Sequence, residues 1–417
     1  MDPTVAGLAS ETVFQPLGGP NTPVAPPTYA RQKGDDSKAP NYAMSQNAFV
    51  PKRDADGWYT QIEHNNEGTP RTAMRVLLDS WGSQSGRAET AIWNNQDRLG
   101  ITVPALVVSG IPEGKQPELF DNATLDEQFM AALNVNVSTW ELSHRHVDGW
   151  IRFATEDGTT QVWQSEDPDS LKALICSASA QRAETLFKYF PNSAIYGFWL
   201  SSGSAMRHKL PRAYSSEIVG YGAREVVAGA TKLDAAGGAS KQSRAENVRN
   251  ALTVLAPGKR GGKEPSTFGL GQVPSQPEVR GFMCETILQQ SSISFAVLRS
   301  LRFDNEERRV AALTVLVLLA MAGHALAQEE TFLRSECALV AEETRWGWKR
   351  QGSGATPEAV EIDGVNDIAE ALREALSDAE KVGLSFAAPI RLNFSEAQQK
   401  LIAERVEAEV TKQETSE

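Results

Sequence analysis

The feature that most limits how this chain can fold is a long, mostly apolar run at residues 310–327, VAALTVLVLLAMAGHALA. It is about as long as the shortest helices that span a membrane. Thr314, Gly323 and His324 interrupt it, and much of the remainder is Ala, which lipid rewards weakly. A helix apolar on all sides otherwise belongs inside a large core. The run therefore predicts a buried helix over about residues 305–327. It also predicts a soluble, cytoplasmic protein with no membrane partner. With 417 residues, 41% of them hydrophobic, the chain can build one large elaborated domain or two ordinary ones around that helix. The N-terminal stretch MDPTVAGLASETVFQPLGGP lacks the basic region and apolar run of a secretory signal.

Elsewhere, short strand-like and helix-like stretches alternate without a βαβ rhythm, which predicts an α+β fold. Residues 101–109, ITVPALVVS, read as a strand interrupted by Pro104, and residues 194–200, AIYGFWL, as a second strand. Residues 121–134 and 169–189 read as helices. WIRFATEDGTTQVWQS reads as a hairpin turning at Asp157-Gly158. A helix is expected to begin near Ser83 or Ser85, either hydroxyl serving as its cap. Residues 1–56 are rich in Pro, Gly, Asn and Ser. They predict an extended arm that orders, if at all, against a neighbour. Residues 57–350 form the expected core. Beyond Gly354 there are 14 acidic against 6 basic residues, which predicts an acidic helical region (351–417) whose last helix faces solvent.

Few chemistries are offered by the sequence. Cys176, Cys284 and Cys337 are far apart and odd in number, as in a reducing compartment. The five histidines form no HExxH and no His/Cys cluster, so no metal or cofactor is expected. No GxxxxGK[ST] or GxGxxG motif follows a strand. His144-Arg145-His146 with Asp148 invites an acid/base reading, but no matching nucleophile or carboxylate pair accompanies it. His144 and Arg145 are better candidates to touch RNA or a neighbouring subunit.

Charge points to nucleic acid locally, not globally. The formal net charge is −12, yet residues 201–280 carry 12 Lys/Arg against 6 Asp/Glu. The densest stretch is SSGSAMRHKLPRAYSSEIVGY. There Ser202 and Ser204 offer small donors, Arg207, Lys209 and Arg212 supply cations, and His208 can donate or stack. Tyr214 and Tyr221 provide flat surfaces for bases. Ser215, Ser216 and Lys232 extend that set. A second site is DSWGSQSGRAE, with Ser83, Gln84 and Ser85 at a helix start and Arg87 adding charge. A third is the flexible loop holding Lys259, Arg260 and Lys263.

Several blocks in order resemble one family. VLLDSWGSQSGRAETAI resembles the DS-x-x-SQ-x-x-R-x-E element of type I-G (formerly I-U) CRISPR-associated backbone proteins of the RAMP superfamily, the GSU0053-like family. SHRHVD resembles its His-Arg element. LPRAYSSEIVGYG resembles its R-x-x-x-SEI element through Arg212, Ser216, Glu217 and Ile218. LRFDN and LRSECALV resemble its C-terminal block through Arg334, Ser335, Cys337 and Leu339. The resemblance implies an RRM-like (ferredoxin-like) palm with large insertions forming thumb and fingers. It implies a non-catalytic subunit of a type I CRISPR interference (Cascade) complex. Copies would stack head to tail along a guide RNA (crRNA), beside other subunits of the effector, and meet target DNA through the guide. The other reading within the superfamily is an endoribonuclease that processes the guide precursor, with His144, His146 or His208 as base and Lys209 stabilising charge.

Overall fold

The structure, a computed structural model, describes residues 2–31, 41–111, 123–201, 207–229, 278–352, 354 and 356–414. Its main sheet is antiparallel and curled, and it is assembled from distant parts of the chain. The strands are β1 (Val5–Pro16), β2 (Met44–Phe49), β3 (Thr72–Asp79), β4 (Tyr214–Tyr221), β5 (Thr286–Ser294), β6 (Phe332–Arg334), β7 (Cys337–Arg350) and β8 (Glu358–Val360). Across the sheet the order is β6-β7-β1-β5-β4-β3-β2, with β8 pairing β7. Mixed α+β is therefore the observed class.

β1 is where the structure departs most from the reading of residues 1–56 as an arm. It lies between β5 and β7, with Glu11 opposite Gln290 on one side and Arg345 on the other. Its mid-strand residues Ser10, Glu11 and Thr12 are polar yet buried. Each is satisfied from far along the chain. Ser10 Oγ lies 3.2 Å from His324 Nε2. Glu11 accepts from the Tyr59 N–H at 2.9 Å and from Gln290 Nε2 at 3.3 Å. Thr12 Oγ1 meets Thr344 Oγ1 at 3.0 Å. Because buried polar groups need such partners, a strand of this composition forms only where the partners are.

Helix α1 (Trp81–Asn94) starts ahead of the expected position: its cap is Ser80, whose Oγ accepts from the Ser83 N–H at 3.4 Å. The apolar run becomes α2 (Glu306–Glu329). Asn305 caps it, accepting from the Arg308 N–H at 2.9 Å, and Glu306 and Glu307 face the positive end of the helix dipole. Among the described residues it is the one helix long and apolar enough to cross a membrane, and 67% of its most apolar stretch is buried. α1 and α2 pack on one face of the sheet and approach closely at Gly323. A Cβ there would lie 2.8 Å from Ile92 Cδ1 and 2.9 Å from both Ala88 O and the Tyr196 hydroxyl. Along the chain the central elements run β1, α1, β4, β5, α2, β7.

The acidic C-terminal region is not set apart from this core. Helix α3 (Val365–Lys381) buries Val365, Ile368, Ala369, Leu372, Ala375 and Ala379 against it, a spacing that makes one helical stripe. Its acids occupy the other side, and the last helix, Glu396–Glu414, shows mostly exposed side chains through residue 408.

Other expectations shift in detail. Residues 101–109 give a strand only at Leu106–Ser109, after Pro104, and residues 121–134 a helix at Ala123–Leu133. Residues 169–189 form two short helices, Leu171–Ser177 and Ala183–Tyr189. Residues 194–200 are not one strand: Pro191 opens a helix, Pro191–Tyr196, which Gly197 ends at φ 79°, and the strand is Phe198–Leu200. Asp157 organises the expected turn, its Oδ1 accepting from the Thr159 and Thr160 N–H groups at 2.8 and 2.9 Å, and the pairing that flanks it is a single antiparallel bridge, Thr155 to Gln161, with the Val162 N–H on the Ala154 carbonyl at 2.8 Å.

Candidate functional site

The sequence blocks singled out as RNA contacts meet one another, and most of their side chains are taken up in doing so. Asp79, at the end of β3, is buried. Its Oδ2 accepts from Gln84 Nε2 at 2.6 Å and Arg87 Nε at 3.0 Å, and its Oδ1 from Arg334 Nη2 at 3.3 Å. Arg87 also donates to the carbonyls of Phe332 and Leu333. Gln84 Oε1 accepts from Gln289 Nε2 at 2.6 Å and Ser216 Oγ at 3.2 Å. Gln328 of α2 closes the network, donating to Gln289 Oε1 at 2.8 Å. Ser85 donates to the Trp81 carbonyl and is buried. Gln84 and Ser216 thus tie helix to sheet from inside, Ser85 is taken up within its own helix, and Arg87 is largely committed.

Arg145 is committed too. Its guanidinium forks onto Glu89 at 2.7 and 2.6 Å and donates to the Gly197 carbonyl at 2.8 Å. Asn192 donates to the same carboxylate at 3.1 Å. Burial pushes the Glu89 carboxyl up, and the Arg145 charge opposes that shift. Arg145 itself has φ 54°, a left-handed conformation that residues with side chains rarely adopt. His146 is fully enclosed, stacked 4.3 Å from Phe190 with Nδ1 2.7 Å from Ser193 Oγ. His324 sits between Ser10 and the Tyr214 hydroxyl, the latter at 2.8 Å. Burial pushes both imidazoles down to about 3. Tyr214 is therefore a core residue and offers no surface for a base. Tyr221 stays half-buried on the sheet face away from α1 and α2.

The candidates left at the surface cluster around one hairpin, Phe198–Leu200 paired with His208–Leu210. Phe198, Leu200 and Leu210 point inward and are buried. Trp199 points outward, 65% exposed, directly opposite Lys209, whose Nζ lies 5.7 Å from the indole centroid. Arg207 and Arg212 are exposed at the end of the hairpin and just beyond it. Arg207, Lys209 and Arg212 form no ion pair among the described residues. His208 is half-buried, Ser215 lies half-buried on β4, and His144 is exposed on a separate loop. Ser202, Ser204, Lys232, Lys259, Arg260 and Lys263 lie outside the described residues.

A family model described as CRISPR-associated protein GSU0053 matches residues 8–225, just over half of the chain. The chain belongs to this CRISPR-associated family. No match was found among curated proteins. Within the CRISPR-associated family match lie the DSWGSQSGRAE, SHRHVD and LPRAYSSEIVGYG blocks, while LRFDN and LRSECALV lie beyond it. The structure nevertheless joins Arg334 of the last block to Asp79 of the first. Trp199 was not among the sequence candidates. The available signal was its position: an aromatic between two inward apolar residues of a strand, eight residues before Arg207, the first cation of the basic stretch.

Proposed function

We propose that this CRISPR-associated protein is a non-catalytic, guide-RNA-binding backbone subunit of a type I interference complex, repeated along the guide and presenting it for pairing with target DNA. The observation that carries this reading is the arrangement of the central elements. Along the chain they run strand, helix, strand, strand, helix, strand, and across the sheet β7-β1-β5-β4, antiparallel throughout. That order supports a ferredoxin-like palm, whose split βαβ topology has the same sequence of elements, the palm expected of RAMP-superfamily backbone subunits. β2 and β3 extend it at one edge. The paired strands Arg224–Ala228 and Glu278–Met283, inserted between β4 and β5, suit the stem of a thumb.

Catalysis is the weaker reading. Apart from the exposed His144, the HRH motif supplies one enclosed neutral imidazole and one guanidinium locked to a carboxylate. Neither is placed to take a proton from RNA. Mass measurement by light scattering at two salt concentrations, with the chain alone and with guide RNA, tests the proposal. A large, salt-sensitive assembly containing intact RNA is expected. Shortened RNA would favour the endoribonuclease, and no mass change even with co-expressed neighbouring subunits would overturn RNA binding.

A further inference from the structure

We propose that Trp199 is a stacking platform for one unpaired base of single-stranded RNA, with Arg207, Lys209 and Arg212 holding the phosphates beside it. This rests on the RNA-binding reading above and names the residue on which a base sits. An indole is among the largest apolar groups a chain can bury, and this one is left in water although its strand neighbours Phe198 and Leu200 are not. The strand period explains the direction: with those two turned inward, Trp199 must face out. The platform is also held rigidly. Arg145 grips the Gly197 carbonyl at the hairpin base. A Cβ at Gly197 would come within 2.8 Å of both Arg212 N and Leu210 O, so the two sides of the hairpin touch backbone to backbone. The Ala213 N–H bonds the Ile195 carbonyl at 2.7 Å just below.

Charge selects the occupant. The chain carries a net −12, yet the charged residues described on this hairpin and just beyond it are three cations with no ion pair among the described residues, and Lys209 stands beside the indole itself. An apolar protein partner has no use for them, whereas a polyanion with flat faces uses both parts. Bases stack on aromatic side chains in a sequence-tolerant way, and cations beside the ring take the backbone. Such a site suits a subunit that must hold any guide sequence.

Stacking and charge separate experimentally, because only the phosphate contacts release counterions. The full chain is titrated with single-stranded RNA of mixed sequence at several salt concentrations. Trp199→Ala is expected to weaken binding about tenfold at every salt concentration, with the salt slope and the melting temperature unchanged. Trp199→Phe should retain most of the affinity. Lys209→Ala and Arg207→Ala should each lower the salt slope by about one. Wild-type affinity in Trp199→Ala would overturn the inference and leave the backbone reading standing. Wild-type RNA affinity with a smaller assembly mass would assign Trp199 to a contact between copies and overturn it equally. If the wild-type chain binds no RNA, the functional reading falls with it.

Discussion

His146 and His324 occupy the interior as neutral rings, and that makes the protein sensitive to acid. Burial is the main cause of both depressed values, with the neighbouring Arg145 adding to the effect at His146. On unfolding, each ring returns to an ordinary value of about 6.5. The unfolded chain then binds protons that the folded chain refuses. The stability involved is present above about pH 6.5 and is lost as the pH falls from there toward 3, at ~1.4 kcal/mol per pH unit for each ring. Denaturant midpoints measured between pH 7 and 4 should fall steeply, and His146→Gln and His324→Gln should each flatten the slope. An equally steep slope in both variants would remove these rings as the cause. The Glu89–Arg145 pair makes a separate residue-scale prediction. Arg145→Ala strands a carboxylate inside the protein and should cost about 3–5 kcal/mol. Removing both charges, in Glu89→Gln with Arg145→Met, should cost less than the single change; a double variant weaker than Arg145→Ala would show that packing, not charge pairing, sets the loss.

At the scale of elements, the fold depends on two close fits. α1 and α2 touch through Gly323, where backbone and side-chain atoms already stand within 3 Å of a would-be Cβ. Gly→Ala inside a helix ordinarily stabilises by up to ~1 kcal/mol. Here overpacking, typically ~1–3 kcal/mol, should win, so Gly323→Ala should lower the melting temperature. A higher melting temperature would mean that the helices can part at no cost. β1 is the second fit. Were residues 1–16 an arm, their removal would leave the core intact. Since β1 joins β5 to β7, a chain lacking residues 1–16 should fail to give a cooperative thermal transition.

At the scale of the whole molecule, the acidic C-terminal region belongs to the core through α3 and presents its charge outward. A chain ending at residue 350 would expose the α2 face that Ile368 and Leu372 cover, and it should aggregate or lose cooperativity when purified. A monodisperse, cooperatively melting truncation would instead make the region a dispensable addition.

The sequence alone determined several things about this protein. The run at residues 310–327 calls for a helix shielded from water on every side, and its Thr, Gly, His and many Ala favour a core over a membrane. The ordered blocks place the chain in its CRISPR-associated family, and the strand-rich, non-rhythmic pattern gives α+β. Tertiary structure decided which polar residues are free. Asp79, Gln84, Arg87, Arg145 and Ser216 look like a ligand-binding set when read along the chain; the structure has Arg145 taken up by Glu89 and the other four satisfying one another. Ser10 and Thr12 look like loop residues until partners more than 300 positions away bury them in a central strand. Trp199 looks like part of an apolar strand until the pairing with residues 208–210 sends its neighbours inward and leaves it in solvent. A polar or aromatic group declares its role only through what lies beside it, and for these residues that neighbour comes from another part of the chain.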